Sequence, residues 1–136
     1  MKIPRVLLAA GASGSGKTTL IKLMLGYYPV SEGAIMVSGK NINEYNLKWW
    51  RRCCGVVMQD GVIFSESIAR NIAVGDSEVD IARLEQAARI ACIHDYILSL
   101  PLKYNTKIGR DGVGLSQGQK QRILIARAVY KNPVFI

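Results

Sequence analysis

The residues Gly11-Ala12-Ser13-Gly14-Ser15-Gly16-Lys17-Thr18 follow an apolar run and precede a helical pattern. Their spacing is G-x-x-x-x-G-K-[ST], and each residue type has a task in that order. Glycine lets successive backbone N–H groups turn inward around an anion without Cβ clashes. A helix beginning at Lys17 would point the positive end of its dipole at the same anion. The Lys17 ammonium is a mobile point charge for a phosphate chain. The Thr18 hydroxyl offers a hard oxygen to Mg²⁺. A second constellation lies at Leu115-Ser116-Gln117-Gly118-Gln119-Lys120-Gln121-Arg122. Ser116 and Gln119 have the spacing of a capping box, which needs no ligand to explain it. Gly118 is different, because glycine weakens a helix at an early position. It makes sense where something must come close to the backbone, and a second phosphate would do so.

The elements around these residues read as an α/β chain. Val6 to Ala10 predicts a buried strand. Gly16 to Gly26 predicts a helix whose Leu20, Ile21, Leu23, Met24 and Leu25 cover nearly its whole circumference, hence a buried one, with Gly26 as its stop. Short strands are expected at Ala34–Val37 and Gly55–Met58, with a short helix over Leu47–Arg52 between them. Ser67–Ala73 suits a helix. Asp80–Ala91 predicts an amphipathic helix with Ile81, Leu84, Ala88 and Ala91 on one face and an i,i+4 pair in Glu85 and Arg89. Pro101–Gly114 reads as loop, Ser116–Lys131 as helix ended by Asn132-Pro133, and Val134–Ile136 as the start of an apolar strand. Strands alternating with helices imply a largely parallel sheet.

Composition sets bounds. A chain of 136 residues, 49% hydrophobic and 21% charged, suits one globular domain rather than a disordered one. No apolar run approaches the roughly 18 residues of a membrane span. Three cysteines (Cys53, Cys54, Cys92), no CxxC pair and a single histidine, His94, speak against a zinc site and a disulfide framework. The net charge of +8 suits polyphosphate or an anionic membrane face. Nucleic acid is not expected as a partner and ranks below that reading, because no basic-plus-aromatic motif accompanies the charge. The phosphate loop alone does not separate kinases, GTPases and transport ATPases.

Three motifs in order resolve that choice. Leu115 to Gln119 resembles the signature of ATP-binding-cassette (ABC) transporters, usually L-S-G-G-Q, with Gln117 in place of the first paired glycine. Gln59, after Val56-Val57-Met58, sits where that family has its Q-loop glutamine. The segment Gly61 to Ile68 with Asn71-Ile72, and Thr106-Lys107-Ile108-Gly109-Arg110-Asp111-Gly112, resemble stretches of exporter-type members. Arg110 stands where the latter loop usually carries glutamate. Peptide or bacteriocin exporters are the nearest subgroup.

The resemblance implies a P-loop NTPase fold with a RecA-like core and a helical subdomain carrying the signature, incomplete in this chain. The core would comprise about residues 1–60 and 132–136, and the helical subdomain about 61–131. It implies ATP and Mg²⁺ as cofactors. Gly11, Ser13, Gly14, Ser15, Gly16, Lys17, Thr18 and Thr19 would hold the nucleotide, with Ser116, Gly118 and Gln119 contributed in trans by a second, head-to-tail copy. Gln59 would be the catalytic residue that senses the attacking water, and would share Mg²⁺ with Thr18. The chain would serve a transmembrane domain at the cytoplasmic face of the membrane and power export by ATP hydrolysis. The alternatives are an ATP-binding piece without hydrolysis of its own or, against the signature, another P-loop phosphotransferase. Tyr27, Tyr28, Trp49 and Trp50 are read as core or membrane-domain packing rather than base stackers. The adenine-stacking aromatic, the Walker B aspartate and the catalytic glutamate would lie outside residues 1–136, so turnover by this stretch alone is not expected.

Overall fold

The computed structural model describes residues 5–58 and 60–136. Helix α1 spans Lys17–Met24 and ends where the sequence places its stop. Gly26 has φ +65°. That left-handed turn lets Gly26 N–H donate to Leu23 O at 3.0 Å and Tyr27 N–H donate to Lys22 O at 2.9 Å. The pattern closes a helix with glycine just past its end. A β-hairpin follows, β1 (Met36–Val37) against β2 (Lys40–Asn41), antiparallel. Helix α2 covers Leu47–Cys53, and the Asn46 side chain accepts from Trp49 N–H at its start. Helices α3 (Ile68–Ile72), α4 (Ile81–Ile90), α5 (His94–Ser99) and α6 (Gln117–Tyr130) complete the order. Ser67, Asp80 and Ser116 cap three of them with their side-chain oxygens.

Two apolar clusters organise these elements. One is built from α3, α4, α5 and α6, with Ile68, Ile72, Leu84, Ile97, Ile108 and Ile123 each fully buried. The other gathers Leu25, Ile42, Trp50 and Cys54, with Ile21 and Phe135 packed against it. The Trp50 indole lies 5.5 Å from the Phe135 ring and donates to Met24 O at 2.8 Å. It thereby ties α2 to the end of α1 and to the C-terminal segment.

The parallel sheet expected from the alternation is present only as short pairings. Arg5 N–H donates to Val134 O, Ile136 N–H to Arg5 O and Leu7 N–H to Ile136 O. On the other side, Val134 N–H donates to Cys53 O and Gly55 N–H to Phe135 O. Residues 134–136 therefore run parallel between 5–7 and 53–55.

Several expectations need correction. Val6 to Ala10 is not a buried strand: Leu8 is 85% exposed, because among the described residues the segment has one backbone neighbour and no layer over its faces. Helix α1 has no fully buried residue, and Leu20 is half exposed, because only its Ile21 side meets a cluster. Gly55–Met58 forms no strand beyond the Cys54 pairing. Ile81 stands out in solvent at the first turn of α4, although Leu84, Ala87 and Ala88 are buried as the periodicity requires. Glu85 and Arg89 form no ion pair. Among the described residues the one salt bridge is Arg83 with Asp76, at 2.6 Å. His94 does sit at a helix edge, as the first residue of α5, but it is buried, and its Nδ1 lies 2.8 Å from the Tyr104 hydroxyl. Burial pushes the Tyr104 phenol up to about 12.

Candidate functional site

The phosphate loop is an exposed rim leading directly into α1. Gly16 precedes the helix with φ 89° and ψ 7°, a conformation that glycine alone adopts freely. No side chain caps α1, and no acidic residue lies in its first turn. The leading N–H groups of the helix, at Lys17, Thr18 and Thr19, have no intrahelical partner and remain donors for an outside anion. Gly14 also has positive φ, at 80°. The Lys17 ammonium folds back over this rim and donates to Gly11 O at 2.8 Å, Ala12 O at 2.6 Å and the Ser15 hydroxyl at 3.2 Å. Its charge is thus held at the mouth of the loop by carbonyl dipoles and not by a carboxylate. Ser13, Thr18 and Thr19 are exposed beside it.

The second constellation sits on the N-terminus of α6. The Ser116 hydroxyl accepts from Gln119 N–H at 3.2 Å, and the Gln119 side chain accepts from Ser116 N–H at 2.8 Å, completing the capping box. A Cβ added at Gly118 would meet no atom within 4 Å. Nothing in this chain's own packing requires glycine there, which leaves the backbone open to approach from outside. Among the described residues no hydrogen bond joins 115–122 to the phosphate loop. Gln59, assigned a role from the resemblance, lies outside the described residues.

The two exporter-like segments do meet. Residues 65–67 line up with 107–110: Ile108 N–H donates to Glu66 O at 3.0 Å, and Arg110 N–H to the Ser65 hydroxyl at 3.2 Å. Exposed Val62, Phe64 and Val113 mark the surface around them. A cleft of about 360 Å³ opens between the smaller cluster and α6, lined by Tyr27, Arg51, Gly61, Leu124, Arg127 and Lys131. Its cations are already committed: Arg51 to Leu25 O and Gly26 O, Arg127 to Asn71 O and Val62 O, and Lys131 to Arg51 O and Cys54 O. Burial lowers the Lys131 pKa.

Two further residues escaped the sequence reading as site residues. Asn71 is fully buried, and Arg127 bonds to its backbone and side chain. The available signals were an amide among the apolar positions of α3 and an arginine among the small apolar residues of α6.

For Mg²⁺ the donor set is lean. Among the described residues no group of three or more His, Cys, Asp or Glu side chains could hold a metal ion. The exposed Thr18 hydroxyl fits a cation that arrives with, and stays bound to, phosphate oxygens.

A glycine loop opening onto an uncapped helix with its lysine at the rim, beside parallel backbone pairings, defines a P-loop NTPase fold. Residues 4–136 match the family model described as "ABC transporter", and the chain belongs to that family. It is 44% identical over 128 residues to ABC transporter B family member 6 of Arabidopsis thaliana, covering 94% of this chain and 9% of that protein. It is 45% identical over 127 residues to the ATP-dependent lipid A-core flippase of Saccharophagus degradans, covering 93% of this chain and 22% of that protein. Among solved structures, a bacterial Atm1-family ABC exporter with ATP bound superimposes with a TM-score of 0.82 at 39% identity, over 96% of this chain and 22% of that one. The chain therefore spans less than a quarter of the length of each of these relatives. No described helix is long and apolar enough to cross a membrane.

Proposed function

We propose that this chain is the ATP-binding part of an ABC exporter and that it works at a head-to-tail dimer interface. The observation that carries the reading is the rim at 11–19, where uncapped N–H donors, left-handed glycine and the Lys17 ammonium converge on one exposed place. ATP is the ligand of the matching chemistry. Its phosphates would take the loop N–H groups, and Lys17 would exchange its bonds to Gly11 O and Ala12 O for phosphate oxygens. Thr18 would hold Mg²⁺, which neutralises phosphate charge when bound. Ser116 and Gly118 of one copy would close over the nucleotide of the other. The role suits an open backbone at Gly118 and a hydroxyl already oriented by its cap. Phosphoryl transfer depends on such positioning and charge neutralisation more than on covalent chemistry.

The division into a core of about 1–60 and 132–136 and a helical subdomain of about 61–131 is part of the proposal, supported by the two separate apolar clusters. So is a transmembrane partner at the cytoplasmic face of the membrane. The surface shared by 62–67 and 107–113 is the place we assign to it, with its rigid backbone and exposed Val62, Phe64 and Val113. Sedimentation with and without Mg-ATP tests the reading. ATP should drive dimerisation of the wild-type protein but not of Ser116→Ala, while the monomer's ATP affinity stays the same. Equal loss of monomer binding in Ser116→Ala would contradict the trans role.

A further inference from the structure

We infer that Asn71 and Arg127 clamp the segment 62–67 onto helix α6, making Arg127 a positioning residue that carries movement of the signature end of α6 to that segment. The inference rests on the function proposed above. Its basis is the completeness of the hydrogen bonding. The buried Asn71 amide oxygen accepts from Phe64 N–H at 2.8 Å and from Arg127 Nη2 at 3.3 Å. Its nitrogen donates to Phe64 O, Glu66 O and Ser67 O at 3.0, 3.3 and 3.1 Å. Arg127 Nε donates to Asn71 O at 2.7 Å and Nη1 to Val62 O at 2.9 Å, while the guanidinium lies 5.1 Å from the centre of the Phe64 ring. At the near end of the segment, a Cβ on Gly61 would collide with the Leu124 side chain of α6. The backbone of 61–67 therefore has little freedom to move relative to α6.

The choice of arginine is informative. Among the described residues no carboxylate pairs with Arg127, so its charge rests on carbonyl oxygens and an aromatic face. Burial lowers its pKa. An apolar residue would avoid that cost but would leave Val62 O and Asn71 O without their donor. Lysine has no planar fork to reach both at set angles. What arginine provides is a fixed orientation of the segment. Helix α6 is unbroken from Gln117 to Tyr130, so Arg127 and Ser116 sit about 16 Å apart along one rod. A ligand that shifts the Ser116 end must shift 62–67, whose exposed Val62 and Phe64 face outward.

Hydrogen exchange of the full-length protein, with and without Mg-ATP, tests this alongside ATP affinity and turnover. In wild type, ATP should slow exchange in both 117–130 and 62–67. In Arg127→Lys the response at 117–130 should persist and that at 62–67 should vanish. ATP affinity should stay within about twofold and turnover should fall by about tenfold or more, a split that general unfolding does not produce. Phe64→Leu keeps all three Arg127 hydrogen bonds and removes only the ring. It should keep the coupled response, and it serves as the test if Arg127→Lys fails to fold. Loss of the response at 62–67 in Phe64→Leu would overturn the clamp, as would a wild-type response in Arg127→Lys. No ATP response anywhere in wild type would overturn the functional reading and the inference with it. A response at 117–130 alone would overturn the inference only.

Discussion

The phosphate loop and the signature helix carry complementary halves of one proposed reaction, but they stand on different foundations. Helix α6 lies in a cluster of fourteen buried residues among those described, and Arg122, Arg127 and Tyr130 bond it to neighbouring elements. The phosphate loop leads into α1, which touches a cluster of four and keeps Leu20 half exposed, after an extended segment whose Val6, Leu7 and Leu8 face outward. The difference separates two ways of holding a functional backbone. At Ser116 a local capping box sits on a helix whose far half is held by packing. At Gly11 to Lys17 the geometry is imposed locally, by glycine conformation and by the lysine's own bonds to the rim.

The largest test of that contrast is a cavity in the helical cluster. Leu84→Ala should destabilise the protein by about 2–5 kcal/mol in denaturant unfolding. A cost under about 1 kcal/mol would mean that α4 and α6 are not packed as described. Next comes the buried amide. Asn71→Ala should cost about 2 kcal/mol, because Phe64 N–H loses its acceptor and three carbonyls each lose one of their two hydrogen bonds, and unchanged stability would remove it from the framework. Ser116→Ala should cost about 1 kcal/mol through the lost cap, with thermal unfolding as the check. At the lower end, Leu20→Gln on the open side of α1 should change stability by less than about 0.5 kcal/mol. A large loss there would show that the phosphate-loop half is as tightly packed as the helical one.

The same contrast explains what could be read in the sequence. The capping box at Ser116 and Gln119, the helix starts at Ser67 and Asp80 and the stop at Gly26 rest on local devices, and the structure has each of them. The glycine loop and its lysine were legible for the same reason. Burial was not, where it depends on what lies opposite. Val6 to Ala10 and the apolar α1 have hydrophobicity enough for a core, but in these residues little faces them. Ile81 follows the apolar period of α4 but lies at the edge of the packed face. The Asn71–Arg127 pairing joins positions 56 apart in the chain, and no local pattern announces it.

The central claim is that the rim at 11–19 holds a nucleotide polyphosphate, and Lys17→Ala tests it most directly. Lys17 touches only the loop itself through its side-chain hydrogen bonds, so the substitution should leave the unfolding temperature close to wild type. Equilibrium titration with ATP should then show affinity weakened by about tenfold or more, equivalent to at least about 1.4 kcal/mol. An unchanged dissociation constant for ATP, in a protein as stable as wild type, would contradict the assignment of the site.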